Sequence, residues 1–265
     1  MALRRAPTPA VPLRRLALAV SLCFVAGTAA ALPTGGQVTH GSATFAQSGQ
    51  TLAITNSNGA IIQWPGFSIG NGELVRFTQP NAASSVVDRV VGSDPSVLLG
   101  QLQANGRVFL ISPAGIMVGA GARIDVAGFV ASTLQLSDVD FLAGRFNFQA
   151  VPNAAGIRND GTITTPGGGS VYLVAPRVDN AGLIQTPGGD VILAAGQTVQ
   201  IGDTATPGVR VEVSGSATAA TNVGSVIAEA GRVGLVGALV KNGGTLSAAS
   251  AVHEGGRVFL RATDK

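Results

Sequence analysis

I-R-N-D-G-T-I at 157–163, V-D-N-A-G-L-I at 178–184 and V-K-N-G-G-T-L at 240–246 share one form: apolar, x, Asn, x, Gly, x, apolar. N-V-G-S-V at 222–226 is a weaker copy. The glycines are Gly161, Gly182, Gly224 and Gly244, at spacings of 21, 42 and 20. The long interval reads as two periods, with one unit around 199–213 that lacks the signature. Each copy is followed by a small-residue turn and a short strand: G-G-S-V-Y-L at 168–173, G-G-D-V-I-L at 188–193, A-G-R-V-G-L at 230–235 and G-G-R-V-F-L at 255–260. A period near 20 with a strand in every unit specifies a solenoid. It leaves no room for a helix per unit, so a parallel β-helix is expected over a leucine-rich repeat.

The physics of stacking supports this. One coil cannot bury its inward side chains, but coils ~4.8 Å apart form a continuous core. Asn159, Asn180, Asn222 and Asn242 recur at one corner. Two readings of them stand: an amide ladder along the stack, or ordinary turn chemistry. The glycines two residues later are expected to take positive φ. Val209, Val211 and Val213 alternate with Arg210 and Glu212, as in a strand half in water. Asp94-Pro95 opens either a short helix over 95–103 or a turn into a strand, and the strand is expected. Residues 138–146 read as a charged loop leaving the stack.

Composition excludes the main alternatives. The chain has 265 residues, 37 of them Gly, and only 12% are charged. Gly shows no three-residue period, so collagen is out. Two Lys cannot solvate the outer faces of a helical bundle. One Trp and one Tyr cannot make the two aromatic girdles of an outer-membrane barrel. Arg4, Arg5, Arg14 and Arg15 precede a mostly apolar run at 16–26 and then Gly27-Thr28-Ala29-Ala30-Ala31. That is the pattern of a secretory signal peptide over 1–31, with Ala29 and Ala31 meeting the small-residue rule for a cut after Ala31. The remaining 32–265 carries 13 basic against 14 acidic residues and no cysteine, because Cys23 lies in the leader. No basic patch with interleaved aromatics remains, so nucleic acid is not an expected partner.

Three long segments carry a resemblance. They are N-S-N-G-A-I-I-Q-W-P-G-F-S-I-G at 56–70, R-V-V-G-S-D-P-S-V-L-L-G-Q-L-Q-A-N-G-R-V-F-L-I-S-P-A-G-I at 89–116, and G-F-V-A-S-T-L-Q-L-S-D-V-D-F-L-A-G-R-F-N-F at 128–148. Together they resemble the filamentous haemagglutinin N-terminal domain, the secretion domain of two-partner-secreted exoproteins (TpsA type). With the repeats, the resemblance covers essentially all of 32–265. It implies an all-β fold: a right-handed parallel β-helix with an N-terminal cap and family motifs over about 32–150, extra-helical strands, and regular coils over about 151–265. It implies a Gram-negative host, Sec export and passage through the periplasm. The partner would be a cognate outer-membrane transporter (TpsB type) with POTRA domains, and the product a secreted or surface-bound adhesin or haemagglutinin with a host-cell or carbohydrate ligand.

Two family motifs fall on this chain with changes. Gln79-Pro80-Asn81-Ala82 stands where members often have Asn-Pro-Asn-Leu. Ser112-Pro113-Ala114-Gly115-Ile116 stands where they often have Asn-Pro-Asn-Gly-Ile. These residues either hold turns or contact the transporter, and the sequence leaves both roles open.

Nothing points to catalysis. His40 and His253 are the only histidines, and His253-Glu254 lacks the second His of a zinc motif. Asp138-Val139-Asp140 lacks the other ligands of a calcium loop. No catalytic residue, metal site or cofactor is expected. The alternative reading is a stand-alone surface β-helix that binds or degrades polysaccharide, which rests on fold analogy alone. Val258 and Leu260 in the last coil are expected to present an open edge, inviting end-to-end self-association or further coils.

Overall fold

The computed structural model describes residues 31–204, 208–215, 218–229, 231–248 and 257–262; of these, 203–204, 208–210 and 257–262 are described in backbone only. Residues 1–30 of the leader, His253 and the side chains of the last strand lie outside that set. Among the described residues the strands wind into three parallel faces. The first face runs through Thr51–Asn56, Leu74–Thr78, the first half of Gln101–Ile111 and the first half of Arg123–Ser132. It continues through Thr162–Thr164, Leu183–Gln185, Ser225–Ile227 and Thr245–Ser247. The second runs through Ala60–Trp64, Ser85–Val90, the second halves of the same two long strands, Val171–Ala175, Val191–Ala195, Arg232–Gly237 and Arg257–Ala262. The third links Ser96–Leu98, Ile116–Val118, Ile157–Asn159, Arg177–Asn180, Ala219–Asn222 and Leu239–Asn242. This is a parallel β-helix. At its N-terminal end pairing turns antiparallel: Gln37–His40 lies against Ala60–Trp64, and Ala43–Ser48 forms a hairpin with Thr51–Asn56. That cap covers the first coil.

Two cores explain the sequence pattern of the second face. Its inward side chains, among them Val86, Leu110, Phe129, Leu173, Leu193 and Leu235, fill the tube. Its outward side chains, Ile61, Val87, Phe109, Val130 and Ile192, are buried too, beneath an antiparallel sheet of Gln135–Leu136, Phe146–Gln149, Thr198–Thr204 and Gly208–Ser214. Strands covered on both sides read as continuous apolar runs such as V-I-L-A-A at 191–195.

The structure corrects three expectations, and that sheet accounts for the first. The 42-residue interval contains one coil plus a hairpin, not two coils. Arg177–Asn180 pairs directly with Ala219–Asn222, and the intervening Thr198–Thr204 and Gly208–Ser214 pair with each other. The hairpin docks antiparallel on Phe146–Gln149 and so cannot join a parallel stack. Within it Val211 is buried and Glu212 exposed, the alternation of a sheet with one wet face.

Residues 138–146 are not an open loop. Asp138–Leu142 is one helical turn, N-capped by Ser137, whose Oγ accepts the Asp140 N–H at 3.1 Å. The Arg145 guanidinium, chiefly, and then the Ser137 hydroxyl hold the Asp140 carboxyl below its ordinary range. Phe141 tucks beneath the helix against Phe109.

The third correction concerns the repeat glycines. Gly161, Gly182, Gly224 and Gly244 do not have positive φ; among the described residues of the regular coils beyond 151 that conformation belongs instead to Gly168 and Gly188, in the turns before the second face. The repeat glycines are needed for close approach. A methyl on Gly182 would overlap the Gly161 carbonyl oxygen, one on Gly224 the Gly182 oxygen, and one on Gly244 the Gly224 oxygen.

Beside them runs a buried amide ladder. Asn159 Nδ2 donates to Asn180 Oδ1 at 2.7 Å, Asn180 Nδ2 to Asn222 Oδ1 at 2.7 Å, and Asn222 Nδ2 to Asn242 Oδ1 at 2.8 Å. Each of the last three amides also reaches the carbonyl two residues on, at Gly182, Gly224 and Gly244. Asn180→Ala leaves a buried donor on Asn159 and a buried acceptor on Asn222 unpaired. At about 1–3 kcal/mol per orphaned group, a loss of about 2–6 kcal/mol is expected in urea unfolding. A change within experimental error would show that the ladder contributes nothing.

Candidate functional site

The two motif turns occupy different environments. Pro80, Asn81, Ala82 and Ala83 are exposed, in the connection between Leu74–Thr78 and Ser85–Val90. Asn81 organises this turn from within. Its Oδ1 accepts the N–H of Ala83 at 3.0 Å, the N–H of Ser84 at 3.0 Å and the Ser84 hydroxyl at 3.2 Å. This side-chain mimic of a backbone turn is what Asn and Asp favour. The Nδ2 group is left on the solvent side. Gln79, by contrast, is buried and clamped: its N–H donates to Asn105 Oδ1, and Asn105 Nδ2 donates back to the Gln79 carbonyl, both at 2.7 Å.

The second motif is interior. Ser112, Gly115 and Ile116 are buried. The Ser112 N–H donates to the Ser132 carbonyl, and its hydroxyl to the Gly115 carbonyl at 3.2 Å. The Pro113 carbonyl accepts the Ala155 N–H at 3.0 Å, and the Gly115 carbonyl accepts the Ser96 N–H at 2.9 Å. These residues tie neighbouring coils together. Pro113 and Ala114 between them are half-buried, so this motif presents far less surface than the Asn81 turn. The fold thus separates two motifs that look alike in sequence.

The exposed turn forms one lip of a groove of about 570 Å³. The Arg107 Nη2 reaches over to the Ala83 carbonyl at 2.5 Å and pins the lip to the stack. Opposite lie the glycine turn at 166–170 and the Asp190–Arg232 pair, joined through two guanidinium nitrogens at 2.9 and 2.6 Å. The floor is aromatic: Phe146 stacks on Phe109 with centroids 5.9 Å apart and meets Tyr172 edge-on at 5.7 Å. A groove with an apolar floor, a polar rim and backbone groups at its lip suits an extended segment of protein better than a reacting small molecule. The sequence did not announce it, because its walls come from the cap-side turn, the coils and the inserted hairpin.

The amide corner lies along the third face: Asn159, Asn180 and Asn222 are buried and only Asn242 is exposed. It is an internal element of the stack rather than a contact surface.

Comparison with known proteins agrees with this architecture. The TPS secretion domain family matches residues 29–265. The chain belongs to that family. The TPS domain described here is similar to the HMW1 secretion domain from Haemophilus influenzae, with 39% identity and a TM-score of 0.80, over 85% of this chain and 62% of that one. It is also 38% identical over 109 residues to a heme/hemopexin-binding protein of Haemophilus influenzae. That match takes in 41% of this chain and 12% of the relative's length. The TPS domain is therefore the secretion domain of a two-partner-secreted exoprotein, and its family is not an enzyme family.

Proposed function

We propose that this domain directs its exoprotein out of the cell by presenting the exposed 80–83 turn to the periplasmic POTRA domains of a cognate outer-membrane transporter, after Sec export. The observation that carries this reading is the split between the motifs: only the Asn81 turn is exposed, and it borders the groove. The parallel stack supplies the second half of the role. Each completed coil offers the next one a row of backbone partners, so a capped N-terminal domain nucleates β-helix formation in the chain that emerges after it. Among the described residues, Arg257–Ala262 pairs only with Arg232–Gly237. Its other edge is where a further coil, or a second copy stacked end to end, would add. The passenger is read as a surface-exposed or released adhesin or haemagglutinin.

Asn81→Asp separates recognition from folding. An aspartate keeps the acceptor that Ala83 and Ser84 need and replaces only the solvent-facing amide. Stability should stay within about 0.5 kcal/mol, as for most surface changes, while transporter-dependent export falls severalfold. Pro113→Ala should do the reverse, lowering stability and reducing export only in proportion to the folded fraction. Equal export of a stably folded Asn81→Asp protein would remove this turn from the recognition surface.

A further inference from the structure

Glu73 is the most deeply buried glutamate among the described residues, at 5% exposure, and no Arg or Lys pairs with it there. Burying a carboxylate without a counter-charge is costly. Its side chain is held by a turn, Gly70-Asn71-Gly72-Glu73, closed by the Glu73 N–H to the Gly70 carbonyl at 3.0 Å. Gly72 takes φ +79°, which only glycine adopts freely. The Gly70 N–H donates to Oε2 at 2.7 Å. A methyl on Gly70 would press on this carboxylate.

The remaining partner is the backbone nitrogen of Ala31, 3.0 Å from Oε1 and 3.2 Å from Oε2. Straight after it the chain is anchored: Leu32 is 6% exposed and belongs to the tube core, and Pro33 is buried. A peptide nitrogen has one hydrogen, which the two oxygens must share as a weak three-centre bond, and it brings no charge. An α-ammonium has three, and it carries the charge that Glu73 otherwise lacks.

We infer that Glu73 is a binding site for the protein's own processed N-terminus: the leader is removed between Ala30 and Ala31, and the α-ammonium of Ala31 docks bidentately on the Glu73 carboxylate. The hydrolysis is that of any signal peptide. Water adds to the Ala30 carbonyl, the peptide bond breaks, and Ala30 leaves as a carboxylate while Ala31 keeps the amine and gains protons. Ala30 and Thr28 are small, as such a cut requires at the first and third positions before it. This moves the cut one residue from the position after Ala31. A cut there would remove the group that Glu73 holds. Leader removal thereby completes the first coil, so the mature chain closes its cap more firmly than the precursor.

The inference rests on the export reading, and the test separates the two. Material exported by the transporter is sequenced from its N-terminus. Its α-amine is then reacted with a small amine-selective reagent, native and unfolded. The expected sequence begins Ala-Leu-Pro, and the native amine should react about tenfold more slowly than the unfolded one, the effect of about 1.4 kcal/mol of pairing. Glu73→Gln should abolish that protection. If this variant does not fold, comparing the free and N-acetylated wild-type proteins replaces it, the acetylated form unfolding at lower urea. An exported chain beginning at Leu32, or an Ala31 amine as reactive native as unfolded, overturns the inference and leaves the export reading standing. A chain that stays inside with its leader attached overturns both.

Discussion

Gly182→Ala is expected to split the stack. The Gly182 N–H donates to the Asn159 carbonyl, the Leu183 N–H to the Gly161 carbonyl at 2.9 Å, and the Ser225 N–H to the Gly182 carbonyl at 2.9 Å. A methyl at 182 meets the Gly161 oxygen, which is backbone and cannot rotate away. Relief requires the two coils to part, which lengthens these bonds and the adjacent Asn159–Asn180 rung together. The cost should reach about 4 kcal/mol, the upper end for overpacking. In a solenoid, stability is a sum of neighbouring coil interfaces, so the damage stays local. Limited proteolysis should release the coils beyond 182 and leave a resistant fragment that contains the cap. A uniformly stable variant would show that the coils can separate freely at this corner.

Asp88→Asn is expected to stabilise the domain at alkaline pH. Asp88 is wholly buried inside the tube between Ile62 and Leu110 and accepts only the Trp64 indole N–H, at 2.8 Å. Its second oxygen has no partner among the described residues. Burial pushes this carboxyl up to about 8, against the opposing effect of the Trp64 hydrogen bond. The folded state therefore holds a proton that the unfolded chain releases near pH 4. The contribution of Asp88 is greatest below that pH, falls by about 1.4 kcal/mol per pH unit above it, and levels off past pH 8. The whole fall is on the order of 5 kcal/mol. An asparagine keeps the acceptor for Trp64 and carries no proton to lose, so the variant's advantage should grow from near zero at pH 4 to its full size above pH 8. Trp64 is the only tryptophan in the chain, so its fluorescence should report the titration directly, with a midpoint near pH 8 that Asp88→Asn removes. Parallel pH profiles for the two proteins would show that Asp88 is already ionised in the fold.

The coil repeat was legible because stacking imposes its own period: the same small residue and the same amide must return wherever two turns of chain touch. The apolar runs of the second face were legible for a related reason, since both their sides are covered. The role of the repeat glycines was not. A glycine required for positive φ and one required for close contact look alike in sequence, and only the neighbouring coil tells them apart. The hairpin escaped because its length nearly equals one period. Its signal was there, as two alternating runs, V-Q-I at 199–201 and V-R-V-E-V at 209–213, flanking a Pro-Gly pair at 207–208. Ser137-Asp138-Val139-Asp140 likewise carried a helix-capping pattern beneath its charges. Asp88, Glu73 and the groove had no local signal, because what defines each is supplied by residues distant in sequence.

The central claim is that this domain carries its chain across the outer membrane by way of the exposed Asn81 turn. Co-expression with the cognate transporter, followed by quantifying the protein outside the cell, tests it most directly. Wild-type protein should appear outside only when the transporter is present. Asn81→Asp should be retained although it folds as stably as the wild type when purified. Export without the transporter, or undiminished export of the Asn81→Asp protein, would contradict the account.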